Sequence, residues 1–477
     1  MNVSSLAADE PVKPTDESPQ SAPSYYHDIR PLFQAHCQGC HQPAKPQGDY
    51  VMTDFSAMLK GGESGEPAIV PEDLEASYLM TLITPEDGEA EMPQGKPPLS
   101  STELETISRW ILAGAKDDTP PSTQTPYDHD HPPQYDSLPI VTAIDYSPDG
   151  SLIAVAGYHE VLLHQPDGTE IVDRLVGLSE RIESVAFSPD GKRLAVTGGQ
   201  PARMGEVQIW DVESRELELS IPVTYDSVYG ASWSPDGKLV AFGCTDNSIR
   251  AIDAESGKQV VLQRAPNDWT LATVFSVDGS HLVSTGRDMA VKLVHVETER
   301  FVDNITSITP GALKGGLFAL ARHPQRDEVL VGGDDGVPRA FRMFRQTDRK
   351  IGDNSNLIRN FPGMPGRIFD VAYSPDGKTI AASSSLDGKG YVYIFTADYD
   401  IELPDEIKKI EAKVVSSRND QEKQMLEDFR KQGVAILTKL PEQQGGVYSI
   451  TFSPDGSALA SAGYDGQIRV YECQTGQ

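Results

Sequence analysis

From about residue 139 to the end, one short pattern recurs at nearly even spacing, and this repetition constrains the fold more than any other feature of the chain. Ser-Pro-Asp-Gly begins at Ser147, Ser188, Ser234, Ser374 and Ser453, and Ser-Val-Asp-Gly begins at Ser276. A degenerate copy, ALARHPQRDEVLVGGDDG, lies between Ser276 and Ser374, with its turn rebuilt around Pro324. Each copy reads as a strand, the turn, a strand ending in small residues and glycine, and then further strand. In the turn, Pro takes the second position, where its fixed φ suits type I geometry; Asp follows, and Gly takes the fourth position. Flanking runs such as VAFS, LAVTGG and VQIWDV cluster β-branched and apolar residues as buried strands do.

Counting the degenerate copy, seven repeats at roughly 40–50 residue spacing match the WD-repeat period. Residues 139–477 are therefore expected to form an all-β seven-bladed WD-repeat propeller, although only Trp210-Asp211 keeps the signature dipeptide. Between Ser374 and Ser453 about 35 residues are added to the period, at about 399–445. This stretch is charged and helix-favouring, and reads as a helical insertion protruding between blades six and seven. The last repeat ends in a third strand at Cys473. A fourth strand would have to come from near Tyr135 to Leu138, residues that form strands poorly. Cys244 and Cys473 fall in strand-like runs of different repeats and read as small buried hydrophobes. His159, His164 and His281 occur singly in or beside strands and read as packing or turn-tip residues.

Residues 24–118 have a different character. Ile29, Leu32, Phe33 and His36 have helical spacing, as do Leu74, Tyr78, Leu79 and Leu82. Ser100 and Glu103 are spaced as a capping box, Leu104, Ile107, Trp110 and Ile111 form one stripe, and Gly114 is a stop signal. Three short helices joined by long Gly/Pro loops bury little surface unaided, and a large apolar ligand among them would remedy that. Within this segment, Cys37-Gln38-Gly39-Cys40-His41 is a C-x-x-C-H motif, the attachment signature of c-type haem. Thiols three residues apart on a helical turn can each form a thioether with a haem vinyl group, and the adjacent His reaches the iron. A thioredoxin-like pair lacks its βαβ context here, and a zinc site lacks further Cys in the segment. One covalent haem c is expected, with Cys37 and Cys40 as attachment residues and His41 as proximal ligand. For the distal position, Met92 in the loop GEAEMPQGKPPLS, Met52, Met58 and Met80 are available. Met80 lies on the second helix, where a core role suits it. His36 adjoins Cys37 on the proximal side and does not easily reach the opposite face.

The stretch from DIRPLFQAHCQGCH through FSAMLKGGESGEPAIVPEDLEASYLMTLI to EMPQGKPPLSSTELETISRWILAGA resembles the planctomycete-type cytochrome c domain. The family's C-x-x-C-H, GG-x-S-G-x-A-I-V-P segment, Met-Pro loop and W-I-x-x-G-A helix stand here as Cys37–His41, Gly61–Pro71, Met92-Pro93 and Trp110–Ala115. Together they cover most of residues 26–116. Where the family more often shows Met-Pro-Pro, this chain has Pro-Gln-Gly after Met92. The resemblance implies Met92 as distal ligand opposite His41, a small all-α cytochrome c-like fold, and a bacterial protein working outside the cytoplasm (periplasmic or exported), where haem is attached.

The chain has 41 basic and 71 acidic residues, a net charge of −30, and shows no basic patch. Such a surface repels phosphate backbones and anionic lipid headgroups, so nucleic acid is not an expected partner. No apolar run reaches the length of a transmembrane helix. Residues 1–23 read as a disordered Pro/Ser/acidic leader with no evident signal peptide. Residues 119–138 read as a Pro-rich linker. There Asp128, His129, Asp130 and His131 have the donor types for a metal, but in an irregular Pro-flanked segment they read as solvated linker. No nucleophile-elbow, zinc-protease or phosphate-loop motif appears. The expected function is electron transfer rather than enzymatic catalysis, with the propeller docking a redox partner protein or complex. The alternative is a WD-repeat interaction scaffold in which haem is structural or senses redox state or gas.

Overall fold

The computed structural model describes residues 22–42, 45–119, 127–307, 313–348 and 353–476. The leader expected at 1–23 lies outside the described residues except for its last two positions. The chain divides into two compact units. The first is built from the described residues up to Phe33 and from Phe55 to Thr119; the second takes Gln34–Asp54 and the described residues from Tyr127 onward.

The first unit is helical. A π-helical turn, Tyr25–Ile29, leads into α1, Arg30–His36; α2 is Phe55–Lys60, α3 is Tyr78–Ile83 and α4 is Ser101–Leu112. The capping box at α4 forms as its spacing predicts: Glu103 N donates to Ser100 Oγ at 3.3 Å, and Ser100 N donates to Glu103 Oε2 at 2.7 Å. Beyond the helix, Gly114 adopts φ +96° and turns the chain away. The buried side of α4 carries Ile107, Trp110 and Ile111, while Leu104 is only half-buried. Trp110 is the hub of the core. Its ring stacks on Tyr25 at 5.5 Å and meets Phe33 and Phe55 edge-on at 6.4 and 6.2 Å, and its indole N–H donates to Lys116 O at 3.1 Å. The second expected helix is shorter than its periodicity indicates. Ser77 Oγ accepts from Val70 N at 2.9 Å and donates to Asp73 O at 2.6 Å, which ties the preceding residues into a loop and leaves Leu74 outside α3. The helix α2, six residues long, carried no sequence signal because so short a run shows no period.

The second unit is mostly β. Its strands form antiparallel meanders in chain order. The first two repeats share a seven-stranded sheet, because one 17-residue strand, Ile171–Phe187, runs through both. Three four-stranded sheets follow, then a five-stranded one and a final three-stranded one. In six of the repeats the turn that joins the first two strands uses one hydrogen-bond set. At Ser147 the hydroxyl donates to Asp149 Oδ1 at 2.6 Å and accepts from Leu152 N at 2.9 Å, while Gly150 N donates to Ser147 O at 2.8 Å. The same three bonds recur at Ser188, Ser234, Ser276, Ser374 and Ser453. In the degenerate copy the turn has a different set: the ring of His323, beside Pro324, accepts at Nδ1 from Gln325 N and Arg326 N, both at 3.1 Å.

Neighbouring repeats bury their faces on one another. Val207 and Ile209 of the second repeat share a core with Val240, Phe242 and Ile252 of the third. Val141, Ile144, Ile153 and Val155 of the first share one with Ala460 and Ala462 of the last. At that seam Val141 N donates to Gly463 O at 3.0 Å and Ile144 N donates to Ser449 Oγ at 3.1 Å. Tyr135–Leu138 form no strand; Tyr135 instead donates its hydroxyl to the buried Glu160 at 2.7 Å. The insertion departs from expectation. It leaves the five-stranded sheet after Lys389–Thr396 and returns to it as Ile436–Lys439, so it lies within that sheet rather than between two. Its helices α5, Asp405–Glu411, and α6, Asp420–Phe429, close a small core of their own from Ile407, Ile410, Leu426 and Phe429. Cys244 is buried and Cys473 half-buried.

The Asp278 carboxyl is held down to about 2 by the hydroxyls of Ser280 and Ser276 and the Ser280 amide. Its unfolded value is about 4, so its contribution to stability is complete above that pH and is lost as pH falls through about 2. Asp278→Asn should lower the thermal midpoint at pH 7, with a difference from wild type that narrows steadily below pH 4. A difference independent of pH would show that the ionised carboxylate is not what holds this turn.

Candidate functional site

The C-x-x-C-H residues follow directly from α1. Cys40 N donates to Cys37 O at 3.1 Å and His41 N donates to the same carbonyl at 3.2 Å, so residues 37–41 make one helical turn. Positions i, i+3 and i+4 share a helix face, which puts Cys37, Cys40 and His41 on one side of it. The chain then doubles back: His41–Gln42 pairs with Lys45–Pro46, and Gln47 N donates to Cys40 O at 3.0 Å. Farther on, Met52 N donates to His41 O at 2.8 Å and the buried Gln38 amide donates to Met52 O at 2.9 Å.

This loop fixes the tautomer of His41. Its Nδ1 lies 2.9 Å from Gln47 O. A carbonyl only accepts, so Nδ1 carries the proton and Nε2 keeps its lone pair. Burial holds the imidazole below its ordinary pKa, against the opposing effect of the Gln47 and Tyr50 carbonyls, so the ring is neutral at pH 7. A neutral imidazole whose second nitrogen is tied to a backbone carbonyl is the form that ligates a metal. Cys40 carries no disulfide. The residues present therefore fit a c-type haem: two thiols for thioethers and an oriented Nε2 for iron. The Gln47 carbonyl escapes sequence reasoning, since a backbone acceptor leaves no mark on residue type.

The methionines divide by setting. Met52 and Met58 are fully buried, and Met80 is half-buried on α3. Met92 is half-buried in the loop between α3 and α4, in the helical unit, where its amide donates to Leu82 O at 2.9 Å. In the same unit the glycine-rich segment makes a close turn. Gly61 has φ +95°, and a Cβ there would stand 2.3 Å from Glu66 O; Ala68 and Ile69, just beyond, are buried.

Elsewhere, Asp128 Oδ1 accepts from His131 N at 2.7 Å and lies 3.0 Å from His131 Nδ1. Among the described residues no three His, Cys, Asp or Glu side chains gather closely enough to hold a metal ion. His159 packs against the rings of Tyr127 and Tyr158, and burial pushes it down to about 4. His164 is buried, and His281 meets Ser280 Oγ at 2.7 Å and the rings of His295 and Phe344. Among the described residues no helix is long and apolar enough to cross a membrane.

Residues 37–95 match the Planctomycete cytochrome C family. Residues 355–393 and 435–472 match the WD domain, G-beta repeat, and residues 222–273 match the Anaphase-promoting complex subunit 4 WD40 domain. The chain is thus a cytochrome c-like domain fused to a WD-repeat protein. It is 24% identical to eukaryotic translation initiation factor 3 subunit I of Aspergillus oryzae, over 54% of this chain and 80% of that protein. It is 25% identical to periodic tryptophan protein 2 of Arabidopsis thaliana, over 70% of this chain and 31% of that one. Cilia- and flagella-associated protein 52 of Chlamydomonas reinhardtii is 23% identical, over 70% of this chain and 53% of its own length.

Two glycines of the shared segment separate backbone strain from crowding. Gly65 has φ +72° with open space around it, so Gly65→Ala should cost about 1 kcal/mol for the left-handed backbone alone. Gly61→Ala adds a collision with a carbonyl and should lower the melting midpoint of the helical unit further. Equal losses would mean that the Gly61 turn relaxes freely.

Proposed function

We propose that this chain is a c-type haem electron-transfer protein whose seven-bladed WD-repeat propeller docks a partner protein or complex. The observation that carries the reading is His41, set in C-x-x-C-H with Nδ1 bonded to the Gln47 carbonyl and Nε2 left for iron. Bound haem supplies one-electron chemistry. Cys37 and Cys40 attach it, His41 is the proximal ligand, and Met92 is the distal one. Met52 is tied through its amide to His41 itself, and Met58 is wholly enclosed by its neighbours, which leaves Met92 the better candidate.

The seven-bladed ring is supported by the seven turn copies and by the seam between first and last repeats, with the last blade keeping three strands. WD repeats serve protein–protein contact, and a chain with net charge −30 favours a partner with a basic face. Covalent attachment of haem further implies an extracytoplasmic protein. The same WD-repeat matches also favour a second reading, an interaction scaffold in which the haem is structural or a sensor.

Export of the full chain alongside a haem-attachment system, followed by a pyridine haemochrome spectrum of denatured protein, tests the first step. Haem that stays with the polypeptide, with the spectrum of saturated thioethers, is the expected result; a colourless protein beside a matured control cytochrome refutes it. Met92→Ala should then abolish the methionine-to-iron charge-transfer band and let the reduced protein bind carbon monoxide. An intact band in that variant moves the distal ligand elsewhere. Carbon monoxide binding by the wild type itself favours the sensor.

A further inference from the structure

Among the described residues, the outermost strand of the seven-stranded sheet, Leu217–Thr224, has a ladder partner on one side only, Met204–Asp211. An edge of this kind presents a row of backbone groups that a protein must cover or blunt. Here the cover is the C-x-x-C-H turn. A Cβ added at Gly39 would stand 2.3 Å from Ser220 O and 3.3 Å from Pro222 Cδ, so the backbone at this position lies directly on the strand and only glycine fits at position 39. Lys45 Nζ donates to Glu218 O, another carbonyl of the same strand. Beside them, the buried Gln34 donates to Gln200 Oε1 at 3.3 Å, and Gln200 in turn donates to Leu178 O at 3.4 Å.

The strand beneath this turn is braced from within. Ser220 Oγ donates to Glu206, a fully buried carboxylate that also accepts from Ser179 Oγ at 2.6 Å and from the Gln208 amide at 2.8 Å. Gln208 accepts in turn from the Trp210 indole at 2.9 Å. Three donors around one buried carboxylate hold the Ser220 side chain to its own sheet.

We propose that the edge strand Leu217–Thr224 is the seat of the haem-attachment turn, and that Gln200, Lys45 and the glycine at position 39 are positioning residues that hold His41's loop against the second WD repeat. The redox part of this inference rests on the haem reading above; the seat itself does not. In cytochromes of this kind the motif's middle positions are not the attachment atoms. Gly39→Val should therefore leave both thiols able to react while lifting the turn off Ser220. The double variant Gln200→Ala/Lys45→Ala removes the side-chain contacts without adding bulk, and guards against a misfolded Gly39→Val.

The test is hydrogen exchange on the full chain, read at residues 37–47 and 217–224, together with the midpoint potential of the haem-loaded protein. In a regular antiparallel ladder the N–H and C=O of one residue point the same way, so the Ser220 amide faces the covered side with its carbonyl. Both variants should retain covalent haem, exchange at least tenfold faster in the two segments, and show a shifted midpoint potential. Wild-type exchange rates in both variants overturn the seat. Faster exchange with an unmoved potential overturns the positioning role. A wild-type chain that attaches no haem refutes the haem reading and the positioning role with it, and exchange on that chain still decides the seat.

Discussion

In six of the repeats a serine hydroxyl donates to the aspartate two residues on and accepts the amide five residues on. That pair of bonds closes the turn at one register, and in a strand pair register decides which residues face the core. The rest of the β unit depends on this. With Leu194 fixed opposite Phe187 and Val196 opposite Val185, both strands turn their apolar sides to the same packing face. Pro presets the backbone, Gly accepts the left-handed position, and the carboxylate gathers the turn's remaining donors. Where the serine is lost, the turn is held differently: His323 Nδ1 accepts from Gln325 N and Arg326 N, and the amide five residues on, Glu328 N, donates to Arg326 O.

Polar side chains also link one repeat to the next. Asp145 accepts from Phe187 N at 2.8 Å, Ser184 from Ala231 N at 2.7 Å, and Asp370 from Ile450 N at 2.8 Å. Ser449 accepts from Ile144 N and joins the last repeat to the first. Each bond satisfies an amide of a first strand that no ladder on that side reaches. Lateral order thus comes from a few short polar residues, and cohesion from the apolar faces between sheets.

In the helical unit one side chain has a comparable role. Trp110 joins the π-helical turn, α1, α2 and α4 through Tyr25, Phe33 and Phe55. The C-x-x-C-H turn begins where α1 ends. His41 is then oriented by the loop that returns to it, through the carbonyl of Gln47. The C-x-x-C-H residues and the carbonyl that orients His41 therefore lie within a run of eleven residues, 37–47.

Features made by near neighbours were legible in the sequence: the Ser-Pro-Asp-Gly turns, the capping box at Ser100, the stop at Gly114 and the C-x-x-C-H spacing. Each is a contact within about five residues, and it needs particular residue types, so it marks the sequence. The sequence could not announce the return of Ile436–Lys439 to its sheet after the insertion, the shortening of α3 by Ser77, the Gln47 carbonyl on His41, or the nearness of Gly39 to Ser220. Most of these join positions far apart in the chain, and several use backbone atoms that every residue carries. The sequence by itself determined the turns, the repeat and the C-x-x-C-H spacing. Tertiary structure alone decided which strand completes each sheet, which nitrogen of His41 keeps its lone pair, and what lies against the motif, because those outcomes depend on where the backbone is brought rather than on which side chain it carries.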